Sequence, residues 1–194
     1  SISTADYNAK DFALLAIADK IRKSKKEILA ANEKDLKAGV NLEDALLDRL
    51  TLNSSRIESM ALGLEEVASM SDPIGEITNL TYRPSGIQVG RMRVPIGVVA
   101  VIYESRPNVT AEVSALCIKA GNAVILKGGS EATHSNASIL RCVHYGLRKY
   151  SLSQNTVQLV KKGREVTSVL LKKDEYIDVL VPRGGKGLIE AVSK

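Results

Sequence analysis

The chain has 194 residues, a formal net charge of +5 and 44% hydrophobic residues, of which few are aromatic. This is enough for one good-sized domain with an aliphatic core. Apolar runs stay shorter than the ~18 residues of a membrane span, no signal-peptide pattern opens the chain, and dispersed lysines without aromatic stacking residues argue against nucleic acid. Two isolated cysteines, Cys117 and Cys142, favour a reduced, cytoplasmic protein.

The first part of the chain, residues 4–70, is predicted to be helical because apolar residues recur there at a spacing of three to four. The sequence GVNL at 39–42 interrupts the pattern, and Gly39 is a natural helix end. Shorter helices are expected over 42–50 and 53–70. The basic cluster RKSKK lies on the polar face of the first helix, where solvent is its expected partner.

The stretch 76–95 alternates Thr, Tyr, Val and Ile with polar residues, which predicts a β-ribbon closed by the turn RPSG. From residue 97, short apolar runs alternate with amphipathic helical patterns. This order indicates a Rossmann-like parallel sheet with helices on both faces, and hence an α/β protein. Strands are predicted over 98–103, 123–126, 156–160 and 177–181.

Ligands of such sheets bind beyond the carboxyl ends of the strands. The turn YESRPNVT follows the first strand and contains Ser105, Arg106 and Asn108. These residues are predicted to face the ligand crevice, into which the next helix directs its positive end. An ordinary surface loop could also contain them.

The second turn, LKGGSEATH, follows the next strand and contains Lys127, Gly129, Ser130 and Glu131. Glycines let the backbone approach a ligand closely. An ammonium group binds a phosphate, and the acid and hydroxyl can bind ribose hydroxyls. This combination favours a nucleotide, although an exposed glycine-rich turn is the alternative.

The third turn, PRGGKG, contains Arg183, Gly184, Gly185 and Lys186 before a predicted helix. Backbone amides at a helix start bind pyrophosphate, and the two basic side chains add positive charge. Together with the second turn, this predicts a dinucleotide across the edge of the sheet. The order of residues is not that of a Walker loop.

Chemistry beyond binding is not evident from the residues. Both cysteines lie in predicted helices among apolar neighbours and are interpreted as core. The histidines lack further ligands at metal-binding spacing. Besides an enzyme, a non-catalytic nucleotide- or anion-binding module fits these turns. A phosphoryl-transfer enzyme ranks last, because a Walker loop and a Mg²⁺-binding acid pair are missing.

Three long motifs carry a resemblance to a known family: RPSGIQVGRMRVPIGVVAVIYESRPNVT, CIKAGNAVILKGGSEA and DEYIDVLVPRGGKGLI. With LLDRLTL and SDPIGEI, they resemble the gamma-glutamyl phosphate reductases, which belong to the aldehyde dehydrogenase superfamily. The similarity runs from about residue 10 to residue 194. It implies NADPH-dependent reduction of L-glutamyl 5-phosphate to the semialdehyde, with release of phosphate, in proline biosynthesis.

The resemblance also implies how the work is divided. A cysteine thiolate displaces phosphate to form a thioester, which hydride then reduces. That cysteine is expected in a second domain outside this chain, so residues 1–194 would be the N-terminal, cofactor-binding part. Lys127 is expected at the adenosine ribose and its 2′-phosphate, and Glu131 lies one residue later than the superfamily's ribose-binding acid.

Other expectations follow from the same resemblance. PRGGKG would face the pyrophosphate of NADP(H), and Ser105 matches the position of the superfamily's oxyanion-binding Asn. Arg106 and Asn108 would contact the acyl phosphate. The ribbon 76–95 matches a flap through which superfamily members form homo-oligomers, and glutamate 5-kinase is the expected pathway partner.

Overall fold

The computed structural model describes residues 1–160, 163, 165–185 and 188–189. Four α-helices form its N-terminal part, as the periodicity predicts. The prediction of one helix up to residue 38 is wrong in one respect, because Ser24 divides that segment. Ser24 is buried, and it caps the first helix through its backbone N–H. The helices are α1 (Tyr7–Lys23), α2 (Lys25–Ala38), α3 (Asp44–Leu50) and α4 (Ser54–Ser69).

The predicted ribbon is present as two antiparallel strands, β1 (Ile77–Tyr82) and β2 (Gln88–Met92). It forms a separate two-stranded sheet. Most of its side chains are exposed, including large apolar ones such as Tyr82 (77%) and Met92 (60%). The ribbon therefore leaves apolar surface uncovered in this chain.

The remaining strands form a parallel sheet in the order β5-β4-β3-β6. The chain moves outward from β3 through β4 to β5 and then returns to the other side of β3. The reversal between β3 and β6 is a topological switch point, where such sheets bind ligands. The strands are β3 (Val98–Tyr103), β4 (Ala123–Lys127), β5 (Val157–Leu159) and β6 (Val179–Arg183); the helices between them are α5 (Asn108–Lys119), α6 (Thr133–Lys149) and α7 (Glu165–Leu170).

The last strand ends two residues later than predicted. Pro182 and Arg183 pair with Ile102 and Tyr103 of β3, so they belong to β6 rather than to the turn after it. Hydrogen bonding to the central strand β3 extends β6 beyond its own apolar residues. Arg183 is therefore the last residue of a strand and not part of the turn.

One hydrophobic cluster joins the N-terminal helices to the sheet. Helix α1 packs against α4 and α6, and α2 packs against α6. Leu14 and Ile17 of α1 share the cluster with Ile139 and Val143 of α6, and all four are fully buried. The N-terminal helices are thus part of the layer that supports the sheet. Across the described residues, no helix combines the length and apolar character needed to cross a membrane.

A buried carboxylate fixes the start of α6. Asp35 of α2 is 2% exposed and accepts three hydrogen bonds from the first turn of α6. Its oxygens accept the N–H of His134 at 3.0 Å, and both the N–H (2.7 Å) and the hydroxyl (2.6 Å) of Ser135. The early N–H groups of a helix have no partner within it. Asp35 therefore caps α6 from a neighbouring helix.

Two buried lysines connect the N-terminal helices to α5. Lys10 donates to the carbonyl of Lys119 at 3.0 Å and pairs with Asp72 at 2.5 Å. Lys119 in turn pairs with Asp11 at 2.5 Å and donates to the carbonyl of Ala68. Buried ammonium groups are stable only with such partners. These contacts hold α1 and the segment after α4 against the C-terminal end of α5.

Candidate functional site

A cleft of about 650 Å³ lies at the carboxyl edge of the parallel sheet. We call it the main cleft. Five residues that the sequence places in a ligand site line it together: Lys127, Gly129, Ser130, Glu131 and Gly185. They come from the turns after β4 and β6, which are distant in sequence. The parallel order of the strands brings these turns to one edge.

Lys127 supplies positive charge to the main cleft. It is the last residue of β4 and is half-buried. Its ammonium group donates to the carbonyl of Gly128 at 2.9 Å. Within the described part of the chain, no carboxylate forms an ion pair with it. A half-buried ammonium in a cleft without such a partner is suited to bind an anionic group of a ligand.

The floor below the glycines is closed and polar. A Cβ on Gly128 would lie 2.3 Å from Nδ2 of Asn136, so a larger residue does not fit. The hydroxyl of Thr110 donates to Oδ1 of Asn136 at 3.0 Å and lies 2.7 Å from the hydroxyl of Tyr103. Burial raises the pKa of Tyr103 to about 12, against the opposing effect of the Thr110 hydrogen bond. Tyr103 therefore stays neutral and supports the floor.

Glu131 joins the main cleft to the turn after β3. Its Oε1 accepts both the N–H of Ser105 at 2.6 Å and the Ser105 hydroxyl at 2.8 Å. Ser105 is 3% exposed and has a φ of +37°. Glu131 therefore uses both hydrogen-bond donors of Ser105 in this structure. The oxyanion position that the resemblance assigns to Ser105 stays a prediction. Oε2 of Glu131 has no hydrogen bond among the described residues and is available to a ligand hydroxyl.

At the end of β6 and in the turn after it, one of the predicted site residues lines the main cleft and two others do not. The N–H of Gly185 donates to Oε2 of Glu104 at 2.9 Å, and a Cβ on Gly184 would lie 2.6 Å from that oxygen. Arg183 approaches Glu112 of α5 at 3.6 Å. Thus Gly185 lines the main cleft, whereas Arg183 and Gly184 lie outside it. The fourth residue predicted in this turn, Lys186, lies outside the described residues.

The far wall of the main cleft consists of residues that were not predicted from the sequence. Thr167, Ser168 and Leu171, in and just after α7, line it, as do Leu159 and Val160 at the end of β5. The sequence does contain a signal for this wall, because α7 follows β5, a strand that ends at the same carboxyl edge of the sheet as β4. Its first helical turns must therefore lie near the ligand site.

A second cleft of about 380 Å³ contains the remaining predicted residues, Arg106 and Asn108. Its walls come from the β3–α5 turn and α5, and from α3, α4 and the turn between them. Asn108 donates to Glu112 at 2.7 Å. The complete lining is Asp48, Arg49, Thr51, Leu52, Arg56, Ser59, Met60, Arg106, Asn108 and Glu112.

Two further arginines of the second cleft, Arg49 and Arg56, were not identified from the sequence. Arg56 bonds to the carboxylate of Asp48 at 2.8 Å, to the carbonyl of Thr51 at 2.6 Å and to the carbonyl of Asp48. The guanidinium groups of Arg49 and Arg106 form no hydrogen bond or ion pair in the described part of the chain. The second cleft therefore presents two guanidinium groups that a ligand can use.

Neither cysteine is a nucleophile in this structure. Both are buried, and burial raises the pKa of the Cys117 thiol to about 11 and raises that of Cys142 as well. A thiol that remains protonated is a weak nucleophile. His144 has a ring nitrogen 2.8 Å from the carbonyl of Val157, a contact between α6 and β5. The described residues contain no His, Cys, Asp and Glu cluster that could hold a metal ion.

The fold defines the class first. A probable aldehyde dehydrogenase from Listeria monocytogenes superimposes with a TM-score of 0.75 over 99% of this chain, at 16% identity. A glyceraldehyde-3-phosphate dehydrogenase from Methanocaldococcus jannaschii, solved in complex with NADP, gives 0.73 at 18% identity. These similarities show that the chain has the aldehyde dehydrogenase fold. No protein-family model matches it.

Closer similarities identify the relatives. Gamma-glutamyl phosphate reductase from Psychrobacter arcticus is 50% identical over the whole chain. Crystal structures of that enzyme from Thermotoga maritima and Saccharomyces cerevisiae give TM-scores of 0.95 and 0.92, at 36% and 33% identity. The predicted resemblance to gamma-glutamyl phosphate reductases is confirmed. The chain spans 46% of the length of the Psychrobacter relative and 47% of the Thermotoga chain.

Proposed function

We propose that this chain is the cofactor-binding part of an NADP(H)-dependent gamma-glutamyl phosphate reductase. The complete enzyme converts L-glutamyl 5-phosphate, NADPH and a proton to L-glutamate 5-semialdehyde, NADP⁺ and phosphate, in proline biosynthesis in the cytoplasm. The observation that carries the proposal is the main cleft, where the ammonium of Lys127 and the glycine turns after β4 and β6 meet at one edge. Identity of 50% to enzymes of that name supports it.

The residues of the main cleft fit a nicotinamide dinucleotide. Its volume of about 650 Å³ lies within the usual range of cofactor sites. Lys127 would bind a phosphate, including the 2′-phosphate of NADP(H), and the free oxygen of Glu131 would accept from a ribose hydroxyl. Ser130 and the backbone at Gly129 and Gly185 would border the remaining phosphates. Arg183 and Gly184, which lie just outside the main cleft, and Lys186 are proposed to contribute positive charge and close backbone approach at the pyrophosphate.

The chain's own residues would bind and orient the reactants, and the bound cofactor would supply the hydride. Arg106 and Asn108 would hold the acyl phosphate in the second cleft. Glu131 accepts two hydrogen bonds from Ser105, the residue before Arg106. These bonds hold Arg106 of the second cleft at a fixed position relative to the main cleft. The nucleophilic cysteine is proposed to come from the rest of the enzyme, because both cysteines here are buried with raised pKa values.

Lys127→Ala in the full-length enzyme should raise the KM for NADPH roughly 10- to 100-fold, with a smaller change in kcat. This is the loss expected when a charge-assisted contact to phosphate is removed. Steady-state kinetics at varied NADPH concentrations measure it. Lys26→Ala removes an exposed lysine of α2 and is the matched control, for which both constants should match the wild type. An unchanged KM for NADPH in Lys127→Ala would remove Lys127 from the cofactor site.

The ribbon is the proposed contact for homo-oligomers. Its apolar side chains Ile77, Tyr82, Ile87 and Met92 are each more than half exposed in the single chain, and a second copy is the partner we propose to cover them. Light scattering of the full-length enzyme tests this assignment, which a monomeric mass would contradict. Glutamate 5-kinase, the source of the acyl phosphate, is the proposed pathway partner.

A further inference from the structure

We propose that Arg49 binds the α-carboxylate of the substrate in the second cleft and so selects acyl phosphates of an α-amino acid. This inference rests on the proposed function, since it assigns one end of that enzyme's substrate. Arg49 lies in the last turn of α3, which is separate in sequence from the turns proposed to bind the cofactor. It lines the second cleft together with Arg106.

The charges in the second cleft match the substrate. L-glutamyl 5-phosphate has two anionic groups, the acyl phosphate and the α-carboxylate. Of the three arginines in the cleft, Arg56 is held by Asp48 and Thr51 and shapes the α3–α4 turn. The guanidinium groups of Arg49 and Arg106 remain without a partner among the described residues. Two guanidinium groups thus meet two anions, and each can form a bidentate pair.

The position of each arginine decides which anion it binds. Arg106 follows Ser105, which Glu131 connects to the wall of the main cleft. The acyl group must react beside the cofactor, so the acyl phosphate belongs at Arg106. Arg49 lines the second cleft from α3, a helix of the N-terminal layer and not a turn of the sheet. The far end of the substrate, with its α-carboxylate, therefore belongs at Arg49.

The reverse reaction separates the two anions, because semialdehyde and inorganic phosphate are then different substrates. In the full-length enzyme, Arg49→Gln should raise the KM for glutamate 5-semialdehyde roughly 10- to 100-fold, the loss of one charge-assisted pair. The KM values for phosphate and NADP⁺ should stay within about twofold of wild type. Arg148→Gln, an exposed arginine in the last turn of α6, should leave all three constants unchanged.

A substrate without the carboxylate separates binding from a structural role. 4-Aminobutanal is glutamate 5-semialdehyde without its α-carboxylate. Wild-type enzyme should use it poorly, and Arg49→Gln should use it as well as wild type does, so that the preference between the aldehydes falls. Equal losses with both aldehydes, or a raised KM for phosphate alone, would overturn the assignment. Inactive wild-type enzyme would instead overturn the proposed function, whereas active wild type with unchanged Arg49→Gln would overturn this inference alone.

Discussion

Replacing Asp35 by alanine should lower the free energy of unfolding by about 3 kcal/mol, the upper end for hydrogen bonds to a charged group. Asp35 is buried and accepts from two N–H groups and one hydroxyl at the start of α6. Without it, the N–H and the hydroxyl of the buried Ser135 would lose their acceptor, and so would the part-buried N–H of His134. The loss should also loosen the β4–α6 turn that contains Glu131, since that turn is fixed from α2.

Urea denaturation of the full-length protein, followed by circular dichroism, measures this effect. Glu33→Ala is the matched control, because Glu33 lies on the same helix and forms only an exposed pair with Lys37. Exposed pairs of this kind stabilise proteins little, so the control should unfold close to the wild type. Equal midpoints for Asp35→Ala and the wild type would show that the cap does not stabilise α6.

Gly146→Ala should lower the free energy of unfolding by about 2 kcal/mol. A Cβ at Gly146 in α6 would lie 2.3 Å from Cγ1 of Ile17 and 2.7 Å from the carbonyl oxygen of Ala13 in α1. The second contact is with backbone, so the two helices must separate. Overpacking of this kind costs up to about 3 kcal/mol, and the better helix propensity of alanine offsets about 1 kcal/mol.

Gly63→Ala, also at a glycine inside a helix, should instead raise the free energy of unfolding. Gly63 lies within α4, and apart from the backbone of that helix and the two neighbouring residues its added Cβ would meet no atom within 4 Å. Only the propensity gain remains, so this variant should unfold at a higher urea concentration than the wild type. Thermal or urea unfolding of both variants decides the matter. If Gly146→Ala were as stable as Gly63→Ala, the close contact between α1 and α6 would be disproved.

Local sequence patterns predicted the parallel sheet well, and they predicted which turns meet at its carboxyl edge. β3 and β4 are continuous apolar runs, and such runs predict buried strands without knowledge of their neighbours. The glycine turn after β4 is also local, so Lys127 and Gly129 could be placed at a strand end. Because parallel strands share an edge, the meeting of Lys127 with Gly185 followed from topology.

Contacts between distant residues could not be read from the sequence. Glu131 binds Ser105, which is 26 positions away, so the acid expected at a ribose also holds the β3–α5 turn. Arg183 was expected in a turn, but pairing of β6 with β3 keeps it in the strand. Arg49 lies in an ordinary amphipathic helix, and only the packing of α3 beside the β3–α5 turn brings it to a cleft.

We propose that the two clefts serve a phosphate-releasing, NADP(H)-dependent reductase. The most direct measurement is NADP⁺ reduction by the full-length protein with glutamate 5-semialdehyde, at increasing concentrations of inorganic phosphate. We expect NADPH to form only when phosphate is present, at a rate that saturates with phosphate. NADPH formation at the same rate without phosphate, or none at any phosphate concentration, would contradict it.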